Sequence, residues 1–334
     1  MKIPKVLVVF LGVVALATAG CGGSSSAAGG KQVKLDLVAY STPAEAYADL
    51  IKAFNDTTAG ADVSFSESYG SSGDQSRAVE AGQHADFVHF ALEPDVTREV
   101  DAGIVGANWQ NGPTKGVIAK SITVFVVRKG NPKDIKTWDD LVKPGVDVVN
   151  ANPFTSGGAR WNVMAAYGAQ IEQGKSPADA TQYLYDLYKH ISVQDDSARD
   201  SLATFTGGKG DVLLAYENEA ILAKDAGEDI EYVIPPQTIS IETVGAVTKN
   251  AKEPAAQDFL DFLLSKQGQQ IFADHGYRPV MDGVTSANYD FPTPDTLFTI
   301  ADLGGWSKVK DEFFDDQKGI MAKVEQSIGV NPAA

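Results

Sequence analysis

In the stretch Val146-Asp147-Val148-Val149-Asn150-Ala151-Asn152-Pro153-Phe154-Thr155-Ser156-Gly157-Gly158-Ala159-Arg160-Trp161-Asn162, a strand-like run (Val146 to Val149) passes through Ser-Gly-Gly into a helix-like run (Ala159 to Ala169). Such a junction makes an anion cradle. The first N–H groups of a helix have no intrahelical acceptor and carry partial positive charge. Glycine there lets a ligand approach the main chain closely. A single Ser-Gly-Gly serves equally well as an ordinary loop with an N-cap, so its weight depends on recurrence.

Outward from this point the chain alternates strand and helix patterns. Strands are expected at Val33 to Val38, Val63 to Glu67, Ala85 to Ala91, Ile122 to Arg128, Val212 to Tyr216, Ile230 to Ile234 and Thr243 to Val247. Helices are expected at Pro43 to Asn55, Gln75 to Ala81, Glu93 to Ala102, Pro177 to Lys189, Asn218 to Ala226, Pro254 to Leu264, Lys266 to Phe272 and Lys308 to Ile328. Repeated βα order implies an α/β fold, with mostly parallel sheets covered by helices on both faces. Ligands of such sheets sit beyond the carboxyl ends of the strands. The cradle pattern recurs on those loops. Tyr40-Ser41-Thr42-Pro43-Ala44-Glu45 reads as Thr42 N-cap, proline at the first helical position and Glu45 closing a capping box. Tyr69-Gly70-Ser71-Ser72-Gly73-Asp74-Gln75 and Asp195-Asp196-Ser197-Ala198-Arg199 are further small-residue entries into helices. Each alone is a plain cap; four on one class of loop point to a shared oxyanion site.

The amino terminus places the protein. Lys2 and Lys5 precede an apolar run from Val6 to Ala17, then Thr18-Ala19-Gly20-Cys21 and a Gly/Ser-rich segment. Residues 1–20 are read as a secretory signal whose apolar run is shorter than the ~20 residues that span a bilayer. The junction resembles a bacterial lipobox, with Thr18 where leucine is usual, so Cys21 is the expected acylation site and residues 21–32 the tether. Cys21 is the only cysteine, so no internal disulfide is possible. Without residues 1–20 the chain keeps 26 basic against 44 acidic residues, a net charge near −18. That charge argues against nucleic acid and anionic lipid as partners. It also repels anions at long range, so local dipoles would have to hold one. An exported sulfatase or phosphatase would need a metal-bound or base-activated nucleophile. The four histidines, His84, His89, His190 and His275, show no metal spacing and are read as structural or surface residues. No cofactor and no metal are expected.

Several segments resemble the sulfate-binding proteins of bacterial ABC importers. They are Ile122 to Pro132, Trp138 to Val146, Asn152 to Asn162, Gly210 to Ala220 and Gly276-Tyr277-Arg278-Pro279. The resemblance runs from about Val33 to about Lys310, and Ser156 to Trp161 is its most specific part. It implies a two-lobed type II periplasmic-binding-protein fold with lobes joined by crossing strands near Ile118 to Val127 and Pro235 to Val247. Lobe I would be residues 33–117 plus 240–334, and lobe II residues 118–239. It further implies a monomer that captures sulfate between the lobes and passes it to a membrane permease. Thiosulfate, molybdate and phosphate are the alternative ligands. The ligand-binding positions implied are the Ser41 amide, the Ser72 hydroxyl, the Ser156 hydroxyl and amide, and the amides of Gly157, Gly158 and Ala198. Tyr216 stands where the best-known members have tryptophan, and its hydroxyl would donate from a different place. Arg160 and Arg199 are implied to bond peptide groups of the cradle rather than the anion.

Overall fold

The computed structural model describes residues 32–331; the expected signal, Cys21 and the tether as far as residue 31 lie outside them. Ten strands are assigned among these residues: β1 (Val33–Tyr40), β2 (Val63–Gly70), β3 (Phe87–Phe90), β4 (Val117–Arg128), β5 (Val148–Ala151), β6 (Ile191–Asp195), β7 (Val212–Tyr216), β8 (Ile230–Val233), β9 (Gln237–Val247) and β10 (Thr296–Phe298). The helices are α1 (Ala44–Asn55), α2 (Ser72–Glu80), α3 (Glu93–Asp101), α4 (Gly157–Glu172), α5 (Pro177–Tyr188), α6 (Ala198–Thr206), α7 (Glu217–Asp225), α8 (Ala255–Leu263), α9 (Lys266–Asp274), α10 (Trp306–Phe314) and α11 (Ile320–Ser327), with short 3-10 turns at Trp138–Val142 and Ile300–Leu303.

The strand order is β2-β1-β3-β9-β4-β7-β5-β6, with β10 beside β9 and β8 beside β4. β1 pairs in parallel with β2 and β3, and β5 with β6 and β7. Strands β3, β5 and β7 are buried along their whole length and read as near-continuous apolar runs, the mark of a sheet covered on both faces. Two long strands join the halves. Residues Val117–Ile122 of β4 pair with β9, whereas Thr123–Arg128 pair with β7 and β8. These are the segments where crossings were expected. One core gathers Tyr47, Phe54, Phe87, Phe259 and Phe272 on the β1 side. Another gathers Phe125, Trp138, Trp161 and Tyr183 on the β7 side.

The tail departs from expectation twice. The Lys308–Ile328 pattern is broken into α10 and α11, because the Asp315 carboxylate takes the amides of Gln317 and Lys318 and Gly319 opens the next helix. Trp306, Phe313, Met321 and Val324 of that tail pack with Trp161, Tyr167 and Tyr188 in the β7-side core, although residues 240–334 were assigned to the other lobe. β6 and β10 were not expected as strands.

Candidate functional site

The parallel strands deliver their following helices to one place. The amino ends of α1, α2, α4, α6 and α7 converge at the carboxyl ends of β1, β2, β5, β6 and β7. There Tyr40, Ser41, Thr42, Gly70, Ser71, Ser72, Ala91, Ser156, Gly157, Gly158, Ser197, Ala198 and Tyr216 enclose a cavity of about 10 Å³. An organic ligand needs ~300 Å³ or more, so this cavity has room only for something the size of one small ion. All seven expected contact residues (Ser41, Ser72, Ser156, Gly157, Gly158, Ala198 and Tyr216) line it. Among the described residues no carboxylate, lysine, arginine or histidine does.

The wall is rich in donors. The amides of Ser72, Gly157 and Ala198 are the first of their helices, Gly158 follows Gly157, and none of the four has an acceptor among the described residues. Ser156 is 3 % exposed, and its oxygen accepts from Ala159 N at 3.3 Å while its own proton has no acceptor there. The Tyr216 hydroxyl is buried without a hydrogen-bond partner among the described residues, whereas that of Tyr40 faces Thr42, Thr243 and Tyr277. Burial pushes the Tyr216 phenol well above its usual pKa and the Tyr40 phenol up to about 12, so both keep their protons. Tyr40 was missed in the sequence. An aromatic at a strand end looks like core until the fold sets it on the cavity wall.

Two assigned contacts are already engaged elsewhere. The Ser156 amide donates to Asn152 O at 2.8 Å, closing the turn that presents Gly157 and Gly158. The Ser72 hydroxyl donates to Asp95 Oδ2 at 2.7 Å and accepts from Ala91 N at 2.9 Å. The capping box at α1 is also absent. Pro43 takes the N-cap position with no side-chain cap, Thr42 Oγ1 lies 3.2 Å from Tyr277 Oη, and Glu45 pairs with Arg199. A two-pronged guanidinium–carboxylate contact outcompetes one amide for that carboxylate.

Both arginines hold peptide groups around the cavity. Arg160 Nε donates to Pro153 O at 2.7 Å and its guanidinium lies over the Phe314 ring. Arg199 Nη2 donates to Thr42 O at 3.0 Å, while the same guanidinium engages both oxygens of Glu45 and both of Glu219. Burial alone would lower the Arg199 pKa, but Glu45 and Glu219 outweigh it and hold the pKa above its usual value. Glu219 is 1 % exposed and is raised by that burial against the pull of Arg199. The late Gly-Tyr-Arg-Pro run serves the same region: Arg278 grips the buried Glu217 carboxylate at 2.6 and 3.0 Å at the start of α7.

Other charged clusters stand apart. Asp74 is half exposed, pairs with Arg77 and accepts the Ser71 hydroxyl. Asp36, His84 and Asp86 lie close enough to share a cation, but Lys252 Nζ already sits 3.3 Å from Asp36 and 2.7 Å from Asp86. His89 is fully buried between Tyr47 and Thr243, and burial lowers it to about 3, so it stays neutral.

Known proteins resemble this chain in sequence and fold. The family described as bacterial extracellular solute-binding protein matches residues 35–278. A sulfate-binding protein of Synechococcus elongatus is 42 % identical, covering 96 % of this chain and 97 % of its own. A sulfate-binding protein of Escherichia coli is 40 % identical over 85 % of this chain and 91 % of its own. The solved structure of the sulfate-binding protein SubI from Mycobacterium tuberculosis superposes with a TM-score of 0.81 at 41 % identity, covering 85 % of this chain and all of that one. Fold, extent and sequence agree, and the chain belongs to the family of bacterial extracellular solute-binding proteins that includes these relatives.

Proposed function

We propose that this protein captures sulfate outside the cytoplasm, in the cavity between the two halves of its sheet, and delivers it to the permease of an ABC importer. The observation that carries the reading is the chemistry of the cavity wall: helix-start amides and neutral hydroxyls, with no charged side chain. Burying a dianion is costly. Helix amino termini offset up to ~2 kcal/mol each in partly buried geometry. Charge-assisted hydrogen bonds add about 1.5–3 kcal/mol each. A handful reaches the roughly −8 kcal/mol of micromolar binding. The sulfate-binding relatives support the same ligand. No base or metal ligand lines the cavity to activate a nucleophile, which favours capture over ester hydrolysis.

The lobes of this reading are residues 33–117 with 240–334, and residues 118–239, with α10 and α11 also packed against the second lobe. The protein works as a monomer. Calorimetric titration with sulfate tests the function, and Ser156→Ala tests the site. Losing that hydroxyl should weaken sulfate binding by about 1.5–3 kcal/mol; unchanged affinity would take the Ser156 hydroxyl out of the site.

Tyr216 gives a two-sided test. If its hydroxyl donates to sulfate, Tyr216→Phe loses a bond of the same size, about 1.5–3 kcal/mol of affinity. Because that hydroxyl is buried without a partner, the substitution should also leave ligand-free stability unchanged or raised. Sulfate affinity equal to wild type would show that another group serves the anion at this point.

The protein is held at the membrane by a lipid on Cys21, after cleavage behind Gly20. Cys21→Ala should release it into the soluble fraction or leave the signal attached. Normal processing with continued membrane association, read by fractionation and mass spectrometry, would refute the anchor.

A further inference from the structure

The Ser72 hydroxyl is the surprise of the site. It sits at the first position of α2, 3 % exposed and on the cavity wall, yet its proton goes to Asp95 Oδ2 at 2.7 Å and its oxygen takes the Ala91 amide at 2.9 Å. Asp95 is 1 % exposed and is itself held in place. Arg98 Nη1 lies 3.3 Å from Asp95 Oδ1, and the Ser76 hydroxyl lies 2.8 Å from the Asp95 carbonyl oxygen and 2.9 Å from Glu99 Oε1, with one proton for the two. A hydroxyl has one proton to give. Between a carboxylate and a sulfate oxygen, the carboxylate is the conjugate base of the weaker acid and the stronger acceptor. The Ser72 amide, in contrast, has no acceptor among the described residues.

We propose that Asp95 is a positioning residue that decides how Ser72 meets the anion. By holding the hydroxyl proton, it makes Ser72 serve sulfate through its main-chain N–H alone. The hydroxyl instead ties the start of α2 to the β3–α3 junction, where Ala91 and Asp95 lie. This rests on reading the cavity as a sulfate site. It separates two serines of like appearance: the Ser156 proton is free for the ligand, and the Ser72 proton is not. It also explains how an acid comes to sit directly behind an anion site. Asp95 is shielded from the cavity by the serine it orients, and Arg98 offsets its charge.

The test is a thermodynamic cycle. Sulfate affinity by calorimetry and ligand-free melting temperature are measured for wild type, Ser72→Ala, Asp95→Asn and the double variant. Ser72→Ala should keep the sulfate dissociation constant within about threefold while lowering the melting temperature, since Ala91 N and Asp95 Oδ2 lose a buried partner. Asparagine at 95 can donate to Ser72 Oγ and release the serine proton toward the cavity. Asp95→Asn should therefore tighten sulfate binding roughly fivefold or more, and Ser72→Ala in that background should then cost roughly tenfold or more. A tenfold loss from Ser72→Ala with Asp95 intact would overturn the proposal, as would additive effects around the cycle. If Asp95→Asn does not fold, Ser72→Ala set beside Ser156→Ala still decides: equal losses refute it. Failure of wild type to bind sulfate at all would strike the functional reading instead, so the two failures are told apart.

Discussion

Hydrogen phosphate is expected to bind this protein ~10⁴-fold more weakly than sulfate, the discrimination reached when buried polar groups are left mispaired. The cause is one proton. Near pH 7 sulfate has none to donate, whereas phosphate always carries at least one and needs an acceptor for it. Around the cavity the amides of Ser72, Gly157, Gly158 and Ala198 are donors without acceptors among the described residues, and the side-chain oxygens are neutral hydroxyls. Three of those oxygens are already accepting: Ser156 from Ala159 N, Ser72 from Ala91 N and Ser197 from Asp200 N. The acids that could take a proton are elsewhere. Asp74 is 52 % exposed and bound to Arg77, and Asp95 stands behind Ser72. With the wall's two phenols pushed up by burial and no carboxylate or histidine on it, sulfate affinity should also be nearly flat from roughly pH 6 to 8. Competition calorimetry with inorganic phosphate checks both points. A phosphate preference that disappears in Asp74→Asn would mean that this acid turns into the cleft, and the sulfate assignment would fall.

The sequence shows what is local at the site. A serine or glycine where a strand meets a helix carries its meaning within five residues, which is why the turns into α2, α4 and α6 are legible, although α2 starts at Ser72 rather than Gln75 and α4 at Gly157 rather than Ala159. What it hides is set by partners far along the chain. Ser72 meets Asp95 23 residues later and Arg199 meets Glu45 154 residues earlier, so neither the diverted hydroxyl nor the failed capping box leaves a local trace. The first half of β9 is of the same kind. Its residues Gln237 to Glu242 are strand because Gln237 to Ile239 lie against β10 and Ser240 to Glu242 against β4. The break between α10 and α11 did have a signal in Asp315-Asp316-Gln317-Lys318-Gly319, a turn composition set inside an apolar helical period. The period was followed and the turn passed over.

Gly157→Val should weaken sulfate binding by roughly 100-fold or more, the upper range for forcing extra carbons into a packed site. A Cβ on Gly157 would lie 2.8 Å from Ala91 Cβ, 3.1 Å from Leu92 Cγ and 3.1 Å from Ser72 Cβ. All three atoms come from the opposite side of the cavity, so the added side chain drives the two sides apart rather than pushing a flexible neighbour away. The bonds that cross the same seam would open with it: Gly73 N to Thr155 O at 3.1 Å, Trp161 Nε1 to Ala91 O at 2.8 Å and Arg199 Nη2 to Thr42 O at 3.0 Å. Gly158 provides the contrast. Its Cβ would meet Ala198 Cβ at 3.2 Å and Tyr216 Cε1 at 3.5 Å, both on its own side, so Gly158→Ala leaves the seam shut and should cost less than Gly157→Ala. Calorimetry on the four proteins, with small-angle scattering before and after sulfate, reads affinity and closure together. The result expected for Gly157→Val is lost binding with no sulfate-induced compaction. Wild-type affinity in that variant would show that the anion is held without the two sides meeting at Gly157.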